Sequence, residues 1–247
     1  MAKRRQPALQ QLSDEEWRAL APKLWDVLPQ IAYDWEISTR EEAKLRTLVP
    51  CNGVRFADLA PLDRNQALRD QIAPHLASAN VSELQKLSIW IIQDWGGIKH
   101  EPDIAWSRAL VGFEPETVQQ FVMDRGVERI PSWSKLLAFA DSDRYAIYDT
   151  RVAITLNIAL RAIGETRQFH LTDGRNVIVA RASAALGKTK RPLGYPDYLS
   201  LLRALVSERG QTFLSAETTL FSAAPELAER LMAGMDDYLA VACKMSC

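Results

Sequence analysis

Two side chains that could take part in covalent or electrostatic catalysis lie close together in the middle of the chain, Lys135 and Asp149. A lysine that is partly deprotonated can attack an electrophilic carbon and form a Schiff base. A carboxylate can stabilise positive charge that develops on a reacting group, and it can orient a water molecule. Other interpretations stay open: Lys135 as a surface lysine or a phosphate contact, and Asp149 as a helix N-cap, a position that favours aspartate.

The segments around these two residues must position them. Residues 130–135, with the sequence IPSWSK, predict a tight connection between two helical segments, the second of which begins at 136–139. Residues 145–151 then lead into an apolar helix at 151–163, with Asp149 at its start. A helix that is apolar nearly all round is normally buried at the centre of a bundle.

Basic side chains in and near this stretch could contact phosphate groups, although ordinary solvated charge is the alternative interpretation. They are Arg129, Arg144 and Arg151, which flank the stretch, and Lys188, Lys190 and Arg191 in a basic loop predicted at 186–192.

The composition sets limits on the class of protein. The 247 residues are 47% hydrophobic and 25% charged, which is typical of a soluble globular chain. The net charge of -1 means that binding to a polyanion must depend on a local basic face. Three cysteines and three scattered histidines show no zinc or iron–sulfur spacing, so no cofactor or metal is expected. The absence of a long apolar run and of a signal-peptide core predicts a cytoplasmic protein with no membrane partner.

The rest of the chain is mainly helical by its pattern, with one small β-hairpin predicted at 169–180 around Asp173–Gly174. Ser13 and Glu16 predict a capped helix start, and Pro115 and Gly126 predict the bounds of another helix. We expect a single domain, 1–247, with two helical lobes that meet near Gly96–Gly97 and the helix 151–163. Further helices are predicted at 28–35, 40–48, 62–76, 82–94, 196–208, 214–232 and 235–247.

The central stretch resembles the helix-hairpin-helix DNA glycosylases, and it looks closest to a bacterial branch related to 8-oxoguanine glycosylases. Residues 130–134, Ile-Pro-Ser-Trp-Ser, stand where the family has Leu-Pro-Gly-hydrophobic-Gly, and 145–152 stand where it has a hydrophobic run followed by Asp-Thr. The resemblance covers about a tenth of the chain. Serines replace both glycines, and Asp149 follows Lys135 by 14 residues, several fewer than in well-known members. Alignment on Pro131 places Leu136 at the family's lysine position, whereas alignment on 134–135 places Lys135 there.

The resemblance implies a two-lobed glycosylase-like fold with the hairpin and catalytic loop at 114–163. It implies that Asp149 is catalytic and that Lys135 is a candidate nucleophile. Such enzymes flip the target base out of the duplex and hold it by stacking and edge hydrogen bonds. Trp95, Asp94 and Tyr148 are the candidates for the base pocket, although Asp94 could equally be a cap or a solvated charge. The DNA-binding candidates are Ser132, Trp133 (expected to be exposed at the hairpin tip), Ser134, Arg129, Arg151, Lys188, Lys190 and Arg191.

The sequence therefore predicts a DNA glycosylase that excises a modified base from double-stranded DNA and acts as a monomer. Its role would lie in repair or in defence against phage DNA with hypermodified bases, and strand cleavage by Lys135 is left open. Two alternatives remain. One is a non-catalytic helix-hairpin-helix module that binds DNA or protein, which the loss of both hairpin glycines favours. The other is a helical interaction protein with no nucleic-acid role.

Overall fold

The computed structural model describes residues 12–51, 53–172, 177–187 and 189–234. Within these residues the chain is mainly helical and has no β-strand, so the mainly α prediction is confirmed. None of the described helices combines the length and the apolar character that crossing a bilayer requires. The helix predicted at 235–247, the turn at Asp173–Gly174 and the side chain of Lys188 lie outside the described residues.

Eleven α-helices are found in the described part of the chain, together with a π-helix and two short 3-10 helices. The π-helix is Trp90–Trp95, and the 3-10 helices are Phe56–Asp58 and Val111–Phe113. The α-helices are α1 Asp14–Val27, α2 Thr39–Leu48, α3 Pro61–Ser78, α4 Val81–Ile89, α5 Ile104–Ala109, α6 Pro115–Arg125, α7 Ile130–Ala140, α8 Thr150–Ala162, α9 Val177–Leu186, α10 Tyr195–Arg209 and α11 Phe213–Met232.

Local signals set the bounds of several helices as predicted. The Ser13 side chain accepts from the N–H of Glu16, whose carboxylate in turn accepts from the N–H of Ser13, so α1 begins with a capping box. Pro115 opens α6 in its first turn, where the missing N–H is not needed. Gly126 ends α6 with φ +56°, a conformation that glycine adopts without steric cost.

The helix predicted at 28–35 is wrong. Leu28 leaves the helical conformation, with φ -79° and ψ 122°, and residues 29–38 form no regular secondary structure. The physical reason is Pro29, because the ring of a proline disfavours the helical conformation of the residue before it. Within 29–38, Tyr33, Trp35 and Ile37 are half-buried and alternate with exposed residues.

The β-hairpin predicted at 169–180 is also wrong. Val177 begins α9, so the second half of the proposed hairpin is helical. Phe169 instead forms an isolated parallel bridge with Leu193. The alanine-rich run after Val179 favours helix strongly enough to outweigh the β-branched residues at its start.

The chain divides into two compact units. Unit 1 comprises Met1–Ile31, Asp149–Gln211 and Thr219–Cys247. In its described part, α1 packs against α10 and α8, and α8 packs against α9. Most residues of α8 are buried, which confirms the prediction for the helix that follows Asp149.

Unit 2 comprises Ala32–Tyr148 and Thr212–Thr218. In it, α3 packs against α7, the π-helix packs against α7 and α2, and α4 packs against α5. Gly96–Gly97 lies within unit 2, and one boundary between the units falls between Tyr148 and Asp149.

Candidate functional site

The prediction of a tight connection at 130–135 is wrong, because these residues form the first half of α7. The turn lies at 126–129 instead, and Arg129 at its end has φ 55° and ψ 30°, a left-handed conformation. Pro131 falls in the first turn of α7, and proline is favoured there as well as in turns. Serine fits the interior of a helix better than the glycines that the family pattern has at 132 and 134.

The side chains expected at an exposed hairpin tip are buried in unit 2. Trp133 is fully buried, donates from Nε1 to the carbonyl oxygen of Glu128 at 2.8 Å and packs edge-on against Phe121. Ser132 and Ser134 are also buried. The expectation that Trp133 is exposed is therefore wrong, and all three residues lie inside α7 and not in a hairpin.

Ser134 bonds to the backbone of Tyr148. Its Oγ accepts from the N–H of Tyr148 at 3.1 Å and donates to the carbonyl oxygen of the same residue at 3.4 Å. Both residues belong to unit 2 and both are fully buried, so Tyr148 is held in the core. The segment that leads into Asp149 is thereby fixed to α7 at the residue next to Lys135.

Lys135 is buried, with 6% of its surface exposed. Its Nζ donates to the carbonyl oxygen of Pro131 at 2.9 Å, so the side chain is directed towards the start of α7, as helical side chains are. Its stem packs on Gly96, where a Cβ would lie 2.8 Å from Cδ and Cε of the lysine. Both surroundings are unfavourable for the charged ammonium of Lys135, because burial removes it from water and the start of a helix is electropositive. The interpretation of Lys135 as a surface lysine is wrong.

Asp149 is the N-cap of α8, and the N-cap interpretation is confirmed. One carboxylate oxygen, Oδ1, accepts from the N–H of Val152 at 3.0 Å. The side chain is half-buried, and Oδ2 forms no hydrogen bond within the described residues. Asp149 belongs to unit 1, whereas Lys135 belongs to unit 2. The helix start thus fixes the carboxylate through Oδ1, whereas Oδ2 can still interact with a positive charge.

The residues predicted for a base pocket differ in their surroundings. The Trp95 ring packs against Trp35 and Phe139, with centroid separations of 4.9 and 4.8 Å. Its indole N–H is buried and has no acceptor within the described residues. Asp94 forms an ion pair with Lys44 at 2.6 Å, so its carboxylate is neither a helix cap nor a solvated charge without a partner. Trp95 is thus the predicted pocket residue with an unused hydrogen-bond donor.

Two of the three predicted phosphate-binding arginines of the central stretch, Arg129 and Arg151, stack on aromatic rings of their own units, whereas Arg144 pairs with Asp141. In unit 2, Arg129 lies 4.7 Å from the ring centroid of Trp106 and donates to the carbonyl oxygen of Glu101. In unit 1, Arg151 lies 4.5 Å from the ring centroid of Phe221. Such stacking fixes a guanidinium without neutralising its charge. Lys190 and Arg191 are exposed, as a phosphate-binding loop requires.

Sequence reasoning missed the close packing of Gly96 and the aromatic contact of Trp35. The signal at Gly96 was interpreted only as a helix stop, yet the residue also makes room for the lysine stem. Trp35 was assigned to a helix, so its side chain had no assigned partner.

Within the described residues, no group of three or more histidine, cysteine, aspartate or glutamate side chains could hold a metal ion. A scan against models of known protein families gives no match for this chain, and searches of curated proteins and of solved structures also give none.

Proposed function

We propose that this protein is a DNA glycosylase that flips a modified base out of the duplex and breaks its N-glycosidic bond. The single observation that carries the proposal is the state of Asp149. One oxygen is fixed by the start of α8, and the other makes no hydrogen bond within the described residues. A carboxylate held in this way can stabilise the positive charge that develops at C1′ of the sugar as the bond breaks.

The burial of Lys135 supports a second role, that of a nucleophile. A neutral amine would attack C1′ while the electron pair of the glycosidic bond leaves with the base nitrogen, which takes up a proton. Protonation of the ring oxygen and loss of a proton from the amine would then open the sugar to a Schiff base. Burial favours the neutral amine that this step needs, because it penalises the charged form of a lysine.

Contacts to the DNA backbone would come from exposed basic residues and not from a hairpin. Lys190 and Arg191 are exposed in unit 1 and can neutralise phosphates. The near-neutral net charge and the altered hairpin residues favour a specialised substrate, which we place among modified bases met in repair or in phage DNA. The chemistry proposed for Asp149 is the same for either source of DNA.

A second candidate function, a helical interaction protein with no nucleic-acid role, is favoured by one observation. The residues expected at a DNA-binding hairpin, Ser132, Trp133 and Ser134, are all buried. Absence of DNA binding at low salt would favour this candidate over the glycosylase.

The test of the proposed function is base release from duplex DNAs that carry oxidised, alkylated, deaminated or hypermodified bases. Released bases are identified by mass spectrometry, with protein-free DNA as the control. The proposal expects release of one class of base and an abasic site at its position. No release from any member of the panel would contradict it.

A further inference from the structure

A buried ion pair joins two distant parts of unit 2. Arg69 in α3 donates to both carboxylate oxygens of Glu217 in α11, at 2.6 and 3.3 Å. The two side chains are 1% and 5% exposed. A bidentate pair of this kind fixes both the distance and the relative orientation of the two side chains, because two N–H groups of the planar guanidinium face the two oxygens of the carboxylate.

Glu217 has a third partner, the backbone of Ile147. Its Oε2 accepts from the N–H of Ile147 at 2.7 Å. Ile147 lies in the buried, irregular segment between α7 and α8, two residues before Asp149. A buried N–H outside regular structure needs an acceptor, and here a charged side chain supplies it.

Further contacts hold the arginine in place. Its Nε donates to the side-chain oxygen of Asn65 at 3.3 Å, and its guanidinium lies 5.7 Å from the ring centroid of Phe139. Asn65 in turn donates to the hydroxyl of Tyr33 at 3.0 Å. Burial and the nearby Glu217 carboxylate raise the pKa of Tyr33, so its hydroxyl stays neutral. These contacts hold Arg69, and Arg69 in turn fixes the orientation of the Glu217 carboxylate towards the N–H of Ile147.

Buried ion pairs often contribute no more stability than apolar residues of the same volume. We propose that Glu217 is a positioning residue, which acts by holding the N–H of Ile147 and so sets the path of the chain into Asp149. The inference rests on the proposed glycosylase function. Arg69 serves this role indirectly, because it neutralises and orients the carboxylate.

Two double variants separate this role from a merely structural one. Arg69→Met with Glu217→Leu replaces the pair by apolar residues and removes the acceptor of Ile147. Arg69→Met with Glu217→Gln also removes the ion pair but keeps an oxygen that can accept from Ile147. Both variants thus lose the charges of Arg69 and Glu217, and they differ only in whether position 217 can accept from the N–H of Ile147. A displaced catalytic group can cost about 100-fold in rate even for a shift of about 1 Å.

The readouts are the single-turnover rate of base release, the Kd for substrate DNA, the melting temperature and hydrogen exchange at the Ile147 amide. We expect the Leu variant to lose about 10–100-fold in rate with unchanged Kd, and its Ile147 amide to exchange faster. The Gln variant should stay within about threefold of wild type in rate and keep the amide protected. Equal rates and equal exchange in the two variants would overturn the inference, even if both melt at lower temperature than wild type.

Failure of the proposed function gives a different result. If wild-type protein releases no base from any DNA, the glycosylase proposal fails, and the positioning role for base release fails with it. Amide exchange that is fast in the Leu variant alone would then still establish the contact between Glu217 and Ile147. If wild type releases a base and the two variants do so at the same rate, the positioning role fails alone.

Discussion

Ser134 holds Tyr148 at both polar groups of its backbone, accepting from its N–H and donating to its carbonyl oxygen. Ser134 is the neighbour of Lys135 in α7, and Tyr148 is the neighbour of Asp149. The residues adjacent to the two candidate catalytic groups are therefore bonded to each other inside unit 2. This arrangement fixes Tyr148, the residue of unit 2 that precedes Asp149 in the chain, to the helix that carries the proposed nucleophile.

We expect Ser134→Ala to slow base release and to destabilise the protein. The change removes the hydroxyl that accepts from the buried N–H of Tyr148, and loss of such a partner costs about 1–3 kcal/mol. Rates per folded molecule should fall about tenfold, because the segment before Asp149 loses a constraint.

Ser88→Ala is the matched control for this prediction. Ser88 is another fully buried serine of unit 2, and its hydroxyl has no hydrogen-bond partner within the described residues. Its replacement should change neither rate nor stability by much. Chemical denaturation and single-turnover kinetics measure both effects, and an unchanged rate for Ser134→Ala would contradict the prediction.

The role of Lys135 is tested by trapping with borohydride. If the lysine attacks C1′, reduction of the Schiff base during turnover should give a covalent protein–DNA adduct that denaturing gels and mass spectrometry detect. Lys135→Gln should give no adduct, whereas the exposed Lys99→Gln should behave like wild type. Base release by wild type without any adduct would exclude the nucleophile and leave attack by water.

Local rules predicted much of the fold. The capping box at Ser13 and the N-cap at Asp149 depend on residues within one helical turn, so a sequence is enough to predict them. Pro131 is different, because proline is favoured both in tight turns and in the first turn of a helix. The resemblance to the family favoured a turn at Pro131, whereas in the structure Pro131 lies in the first turn of α7.

The partners of the candidate site could not be predicted from local sequence. Glu217 and Arg69 are 148 positions apart, and no periodicity relates them. The packing of Lys135 on Gly96 likewise depends on how α7 meets the π-helix. Contacts of this kind depend on tertiary packing, so the sequence predicted the chemistry of Lys135 and Asp149 but not the residues that hold their neighbours.

The basic loop is expected to contribute to DNA binding without regard to sequence. Lys190→Ala with Arg191→Ala should weaken binding to all duplexes similarly, and the slope of log K against log salt should become shallower by about 1 for each phosphate that the variant no longer neutralises. Arg55→Ala, an exposed arginine of unit 2 that pairs with Asp58, is the control and should leave the slope unchanged. Titrations at several salt concentrations measure it, and the same slope in the double variant would remove the loop from the DNA interface.

Glu165 should make unit 1 sensitive to acid. Hydrogen bonds from the Arg167 guanidinium lower the pKa of this carboxyl from 4.5 to about 2. Because the folded-state pKa is depressed, the stabilisation is present above pH 4.5 and is lost as the pH falls towards about 2. The full shift would correspond to about 3 kcal/mol, and screening of this partly solvated pair reduces its contribution at neutral pH to the order of 1 kcal/mol.

Glu165→Gln should therefore reduce the free energy of unfolding at pH 7 and flatten its dependence on pH between 4.5 and about 2. The exposed Glu15→Gln serves as the control. Denaturant titrations at a series of pH values measure the effect. A pH dependence of the Glu165 variant that is identical to wild type would contradict the assignment.

The measurement that tests the central claim most directly compares wild type with Asp149→Asn in both stability and base release. Asparagine caps a helix as well as aspartate does, so the free energy of unfolding should change by less than about 0.5 kcal/mol. Loss of the negative charge should reduce base release by about 100-fold or more, with DNA binding retained. Unchanged base release by the asparagine variant would mean that Asp149 is an N-cap and nothing more, and it would contradict the account.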